Sequence, residues 1–291
     1  MGSSGKLLQI IVLISAAAAS MAKPDCHSKC GEVEIPFPFG FTEGCYLDKR
    51  FNITCDDSRK PMTAAGNVPI TNISSDAHQM HVMNLVARDC YQRDGRPVRR
   101  SGTVLKVGDQ FTISDKKNTF TVIGCDTIAY LRGYQNGEAY KIGCSSECPS
   151  LSNVVNGSCS GVGCCEVGFP DGLKDITVEV KSFHNHSKVW SFNPCGYAFV
   201  VKKGTFNFSA DYLRKLPNET VPLVLDWGIP DNHGCEKAQN ERNYACKENS
   251  ECTDRRRIKQ GYYCNCKQGY QGNPYLHGHG GCQGSIHIFS S

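Results

Sequence analysis

Eighteen cysteines, none before Cys26, constrain this chain more than any other feature. An even, dense set behind a short apolar leader marks a disulfide framework formed in an oxidising compartment. The leader supplies the route. Lys6 precedes an apolar run from Leu7 to Ala19, and Ser20-Met21-Ala22 places small residues where a signal peptidase cuts. That run is too short to span a bilayer comfortably. Residues 1–22 are therefore read as a signal peptide, and residues 283–291 as a short tail. No later stretch reaches the apolar length of a span, so a secreted, extracellular product without a membrane segment is expected after processing. Six Asn-x-Ser/Thr triplets begin at Asn52, Asn72, Asn156, Asn185, Asn207 and Asn218. They predict N-glycosylation and surface positions. The formal charge of +4 includes Lys6, so the processed chain is only mildly basic and makes no case for nucleic acid.

Strand signals dominate what remains. Thr103 to Val107, Phe111 to Ile113 and Phe120 to Ile123 are β-branched or aromatic runs, and Tyr197 to Val201 reads as a buried strand. Ile176, Val178 and Val180 alternate with polar residues, the period of a half-buried strand. Asp94-Gly95 is a hairpin or turn signal. Met80 to Ala87 is left open between strand and helix. Ser209 is placed to cap a short helix from Ala210 to Leu216, stopped by Pro217. Phe206 and Phe208 flank Asn207, so an extended chain buries the rings and turns any glycan outward. Adjacent Cys164 and Cys165 cannot easily pair with each other and are expected to tie two elements to one point. The expected fold is mostly β and disulfide-rich: two cysteine-stapled lobes, 23–130 and 131–234, then a small module over 235–282.

One stretch is organised differently. In Cys30-Gly31-Glu32-Val33-Glu34-Ile35-Pro36-Phe37-Pro38-Phe39-Gly40, alternating residues give way to prolines that fix φ and remove donors. The segment reads as a stiff extended arm carrying Phe37 and Phe39, either as ligand platforms or as core packing. Together with Gly44-Cys45-Tyr46 and Phe51-x-Ile53-Thr54-Cys55, it resembles the start of the extracellular part of plant wall-associated kinases, the galacturonan-binding module. Asn156-Gly157-Ser158-Cys159, Gly163-Cys164-Cys165, Phe192-Asn193-Pro194-Cys195 and Leu225-Asp226-Trp227 look like the second half of that region. The six cysteines from Cys235 to Cys282, with Gly261-Tyr262 and Gly269-Tyr270, resemble an epidermal-growth-factor-like (EGF-like) domain. The resemblance implies pairing of Cys235 with Cys252, Cys246 with Cys264 and Cys266 with Cys282. It also implies binding of galacturonan, the acidic polymer of pectin, in the plant cell wall. The membrane helix and kinase that usually follow in the family are not expected in this chain.

A galacturonan carries a carboxylate on each unesterified sugar, so its binder needs spaced cations, preferably guanidinium forks, and flat rings. Arg88, Arg93, Arg96, Arg99, Arg100 and Lys106 are the densest supply, with Phe37 and Phe39 as candidate rings. Arg96, Arg99 and Arg100 are expected to be replaceable without loss of fold. Arg255, Arg256, Arg257 and Lys259 read as a solvent loop of the EGF-like module. His184 and His186 would share one strand face, but two histidines make a poor metal site, and no metal or other cofactor is expected. No nucleophile elbow, phosphate loop or zinc-binding helix motif is present, and Asp226 is a lone carboxylate read as a strand-end residue, so no catalytic activity is expected. The expected function is recognition of pectin. The alternative is a soluble fragment that contacts receptor kinase ectodomains and modulates their signalling.

Overall fold

The computed structural model describes residues 21–64, 68–135, 137–231, 233–255 and 261–284. Most of the leader, Arg256, Arg257, Lys259 and the tail beyond Gly284 lie outside the described residues. Nearly all regular structure is strand, as expected, and among the described residues every cysteine is paired.

Three antiparallel sheets form the body. One runs Phe111–Ile113, Thr220–Trp227, Gln79–Leu85, Ile70–Ser74 in spatial order. A second runs Gly163–Val167, Asn118–Gly124, Cys195–Lys202, Ala87–Tyr91, Pro97–Ser101. The third runs Glu138–Glu147, Asp126–Gln135, Ile176–Ser182, Thr103–Leu105. The segment left open around Met80 is strand. Its alternation buries Met80 and Val82 while His81 and Met83 are half-exposed. Each sheet draws strands from both sides of residue 130, and Asp126–Gln135 runs straight through it. The expected division at that residue is therefore corrected: cross-strand pairing, invisible to a local composition shift, interleaves the two halves into one body. The Cys90–Cys195 disulfide joins directly paired residues of neighbouring strands across the same divide. Cys164 and Cys165 do tie separate elements, to Cys159 and Cys144. Ser209 caps the 3-10 turn Ala210–Leu213 by accepting from the Asp211 amide, one turn shorter than the expected helix.

The Ile35–Gly40 arm is core. Phe37 is 7% and Phe39 1% exposed, which corrects the reading of these rings as surface platforms. The prolines help to explain this burial, because each removes a donor that would otherwise need a partner. Of the remaining amides, Phe39 donates to Pro36 O and Gly40 to Phe51 O, while Phe37 donates to Met21 O, within the stretch read as the leader. A Cβ on Gly40 would lie 2.3 Å from Cys45 O, so only glycine fits where the arm turns. Phe39 stacks on Phe111 and meets Phe51 and Trp227 edge-on, at 5.3 and 5.1 Å between centroids for the last two.

The EGF-like module carries the three disulfides its spacing resembles. It is fastened to the body. Ile229 and Tyr262 exchange amide hydrogen bonds, and Asn273 Nδ2 donates to Phe37 O. Arg255, expected in a solvent loop, is buried and donates to Gln110 O and Thr112 Oγ1. The correction has a simple cause: a guanidinium brings several donors, enough to satisfy the body's free acceptors at the junction. His78 packs between Trp227 and Tyr263, and its Nε2 donates to Cys264 O.

Burial holds the His78 imidazole below its ordinary range, and the same is true of His186. The sign follows directly. A histidine held neutral in the fold contributes stability that is fully present above its unfolded pKa of about 6.5 and is lost as pH falls toward the folded value. The thermal midpoint is therefore expected to drop as pH is lowered from 7 to 5. A His78→Gln, His186→Gln double variant should show a flatter pH profile over that interval by calorimetry.

Candidate functional site

The Asp94-Gly95 turn closes a hairpin between Ala87–Tyr91 and Pro97–Ser101. Gly95 sits at φ +81°, a conformation open to glycine at no steric cost. Pro97–Ser101 is the edge strand of its sheet, and all of its residues but Ser101 are exposed. Five of the six candidate cations lie on this hairpin. Lys106 lies apart, just past the Thr103–Leu105 strand, where it lines a small recess with Arg50, Asn52 and Gln110.

The hairpin cations are held differently from one another. Glu219 Oε1 lies 3.2 Å from Arg88 and 3.6 Å from Arg99, so one internal carboxylate serves two guanidinium groups. A ligand carboxylate arriving here would compete with it. Arg96 pairs with Asp94 at 2.7 Å across the turn. Arg93 is exposed and makes no ion pair with a described residue.

Arg100 is structural. Its Nε donates to Asp89 Oδ1 at 3.0 Å and its Nη2 to Tyr91 Oη at 2.9 Å, while Tyr91 Oη donates to Asp89 Oδ2 at 2.7 Å. Asp89 has no exposed surface, so Arg100 covers a buried carboxylate and its replacement, unlike that of Arg96 or Arg99, is expected to cost stability. Removing one partner of a fully buried pair costs about 3–5 kcal/mol. Because the Arg100 side chain is 58% exposed, water screens the pair, and Arg100→Gln is expected to cost only about 1 kcal/mol. Adding Asp89→Asn should restore part of the loss in denaturant titrations.

The histidine pair does not share a strand face. The strand ends at Ser182, and Asn185 and His186 both adopt positive φ, so the two rings diverge instead of sharing a strand face. Asp126 accepts the His184 and His186 amides and the Ser182 hydroxyl, and that turn geometry overrides the strand reading. Ring Nδ1 of His186 bonds to Asn193 O, and that of His184 lies 3.2 Å from Asp126. Among the described residues no cluster of three metal-ligating side chains occurs.

A second concave region lies between the body and the EGF-like module, about 680 Å³ in volume. Trp227 and Tyr263 line it, with Lys116, Lys117 and Arg255 among five aspartates, Asp76, Asp115, Asp171, Asp226 and Asp254. Burial raises the Asp226 carboxyl above the ordinary range, and Gln79 Nε2 donates to it at 3.1 Å. The Lys116-Lys117 pair escaped sequence reasoning. Its signal was available, since two adjacent lysines bridge two strand-like runs.

Five of the six glycosylation triplets have an exposed asparagine; Asn52 is half-buried. No helix among the described residues is long and apolar enough to cross a membrane.

Residues 26–84 match the family described as wall-associated receptor kinase galacturonan-binding. The chain is similar to wall-associated receptor kinase 2 of Arabidopsis thaliana, 41% identical with 92% of this chain and 36% of that protein covered. Wall-associated receptor kinase 3 of the same plant is 39% identical, covering 87% and 35%, and kinase 5 is 37% identical, covering 95% and 37%. The chain thus spans a little over a third of the length of these curated relatives. No solved structure is a significant match. The family match ends before the arginine hairpin begins. Within 26–84 there are five Lys and Arg (Lys29, Lys49, Arg50, Arg59, Lys60) against seven Asp and Glu (Glu32, Glu34, Glu43, Asp48, Asp56, Asp57, Asp76), a net of −2. From 88 to 106 there are six cations against two acids, Asp89 and Asp94, a net of +4.

Proposed function

We propose, from the match of residues 26–84 to the wall-associated receptor kinase galacturonan-binding family, that this chain binds unesterified galacturonan in the plant cell wall, outside the cell and without catalysis. The family match is the observation that carries this reading. The matched stretch is net acidic and repels a polyanion, so the neighbouring hairpin supplies the attraction through Arg93, Arg96 and Arg99, with Arg88 available when Glu219 is displaced. Lys106 stands aside from that strip, and Phe37 and Phe39 are buried in the core. Exposed guanidinium groups spread over the turn and edge strand of one hairpin suit a regular, extended polyanion better than a compact ligand.

Binding to immobilised polygalacturonate tests the proposal. Unesterified polymer should be retained, methyl-esterified polymer should bind at least tenfold more weakly, and affinity should fall as salt rises from about 0.05 to 0.5 M. Equal binding of the two polymers would overturn the reading, as would release of reducing ends. Salt-independent capture of a receptor kinase ectodomain, indifferent to added sugar, would replace it with the protein-contact alternative.

A further inference from the structure

Two of the glycosylation triplets lie against the arginine hairpin, at its opposite ends. Asn218 immediately precedes Glu219, the carboxylate that holds Arg88 and Arg99. Asn185 sits at the hairpin's turn, with its Cβ 3.5 Å from the position a Cβ on Gly95 would occupy. Both asparagines are exposed.

The loop that presents Asn185 is built into place. Asp126 gathers the His184 and His186 amides and the Ser182 hydroxyl at its start. Trp190 Nε1 donates to Tyr91 O at 2.8 Å, and the Tyr91 amide donates to Pro194 O, so the loop is bonded along the first hairpin strand. The rings of Tyr91 and His186 pack at 5.4 Å. Asn185 is therefore held beside the turn by several independent contacts. Asn218 is held as firmly, since Thr220, the third residue of its triplet, begins the strand that pairs with Gln79–Leu85.

The remaining triplets stand elsewhere. Asn72 is on the edge strand of a different sheet, and Asn52 lines the recess beside Lys106. Asn156 and Asn207 neighbour each other, with Asn207 Oδ1 3.5 Å from the Cβ position of Gly157.

We propose that N-linked glycans on Asn185 and Asn218 fence the two ends of the arginine hairpin and limit access of the acidic polymer to it. This rests on the galacturonan reading above and adds to it a modification that regulates the same site. A glycan is bulky and strongly hydrated. Attached within a residue or two of Arg96 at one end and Glu219 at the other, it obstructs a chain approaching along the strand while leaving the fold untouched. Short oligomers that fit between the fences are hindered less than long ones.

The test compares the secreted glycoprotein with an Asn185→Gln, Asn218→Gln variant and an Asn72→Gln, Asn156→Gln control, using unesterified oligogalacturonides of short and long defined length. Glycopeptide mapping should first find Asn185 and Asn218 occupied. The first variant should then bind the long oligomer severalfold more tightly, with little change for the short one, and the control should match the parent. Unoccupied Asn185 and Asn218, or unchanged or weaker binding by the first variant, overturns the proposal. If the parent and every variant fail to bind any oligomer, the galacturonan reading falls and this inference falls with it; if all bind equally, only the fence is lost.

Discussion

Trp227→Ala is expected to destabilise the protein by about 3–5 kcal/mol, the usual cost of truncating a fully buried aromatic residue. Trp227 is 1% exposed and ends the central strand Thr220–Trp227. Its ring lies 5.1 Å from Phe39 of the proline-rich arm, 5.2 Å from His78 and 5.7 Å from Tyr275 of the EGF-like module. Its Nε1 donates to Ser74 O at 3.2 Å. One side chain therefore touches the arm, the body and the terminal module together. The loss should appear in two ways. The denaturant midpoint should fall, and the connection around Gly228–Gly234 should become sensitive to limited proteolysis as the module detaches. Trp190→Ala provides the comparison, because Trp190 is only partly buried and touches the body alone. A loss below about 1 kcal/mol for Trp227→Ala, with the connection still protected, would mean that the modules are joined elsewhere.

This junction also shows what was legible in the sequence and what was not. The strands were legible because alternation and β-branched runs are local signals, as with Ile176–Ser182. The EGF-like pairings were legible through the family resemblance that the cysteine pattern carries. Position relative to distant chain was not. Phe37 and Phe39 looked equally fit for surface or core, and the choice was made by Phe111 and Trp227, far along the chain. Arg255 looked like part of a solvent loop until Gln110 and Thr112 supplied acceptors for it.

The arginine-rich stretch was legible as a cationic hairpin, turn included, but the division of labour within it was not. Arg88 is largely buried against Glu219 and Arg100 covers Asp89, whereas Arg93, Arg96 and Arg99 are exposed, the last two in surface pairs with Asp94 and Glu219. Composition gives six equivalent charges. The pairings separate those available to a ligand from those committed to the fold, and they depend on a glutamate just ahead of a strand that returns more than a hundred residues later.

The central claim is that a cationic edge following the family-matched module holds galacturonan. Arg93→Gln, Arg96→Gln and Arg99→Gln together remove the accessible guanidinium groups and leave the Arg100–Asp89 pair intact. Each exposed ion pair contributes about 0.2–1 kcal/mol, so the triple variant should bind about tenfold more weakly, a loss of about 1.4 kcal/mol. Its salt dependence should flatten, because fewer screened pairs remain to be weakened. Its melting temperature should stay close to the parent's. The decisive measurement is a calorimetric titration of parent and triple variant with one unesterified oligogalacturonide at two salt concentrations. The account predicts weaker binding with a shallower salt response at unchanged stability; equal affinity and an equal salt response in the two proteins would contradict it and move the site to another surface, the cleft lined by Lys116 and Lys117 first among them.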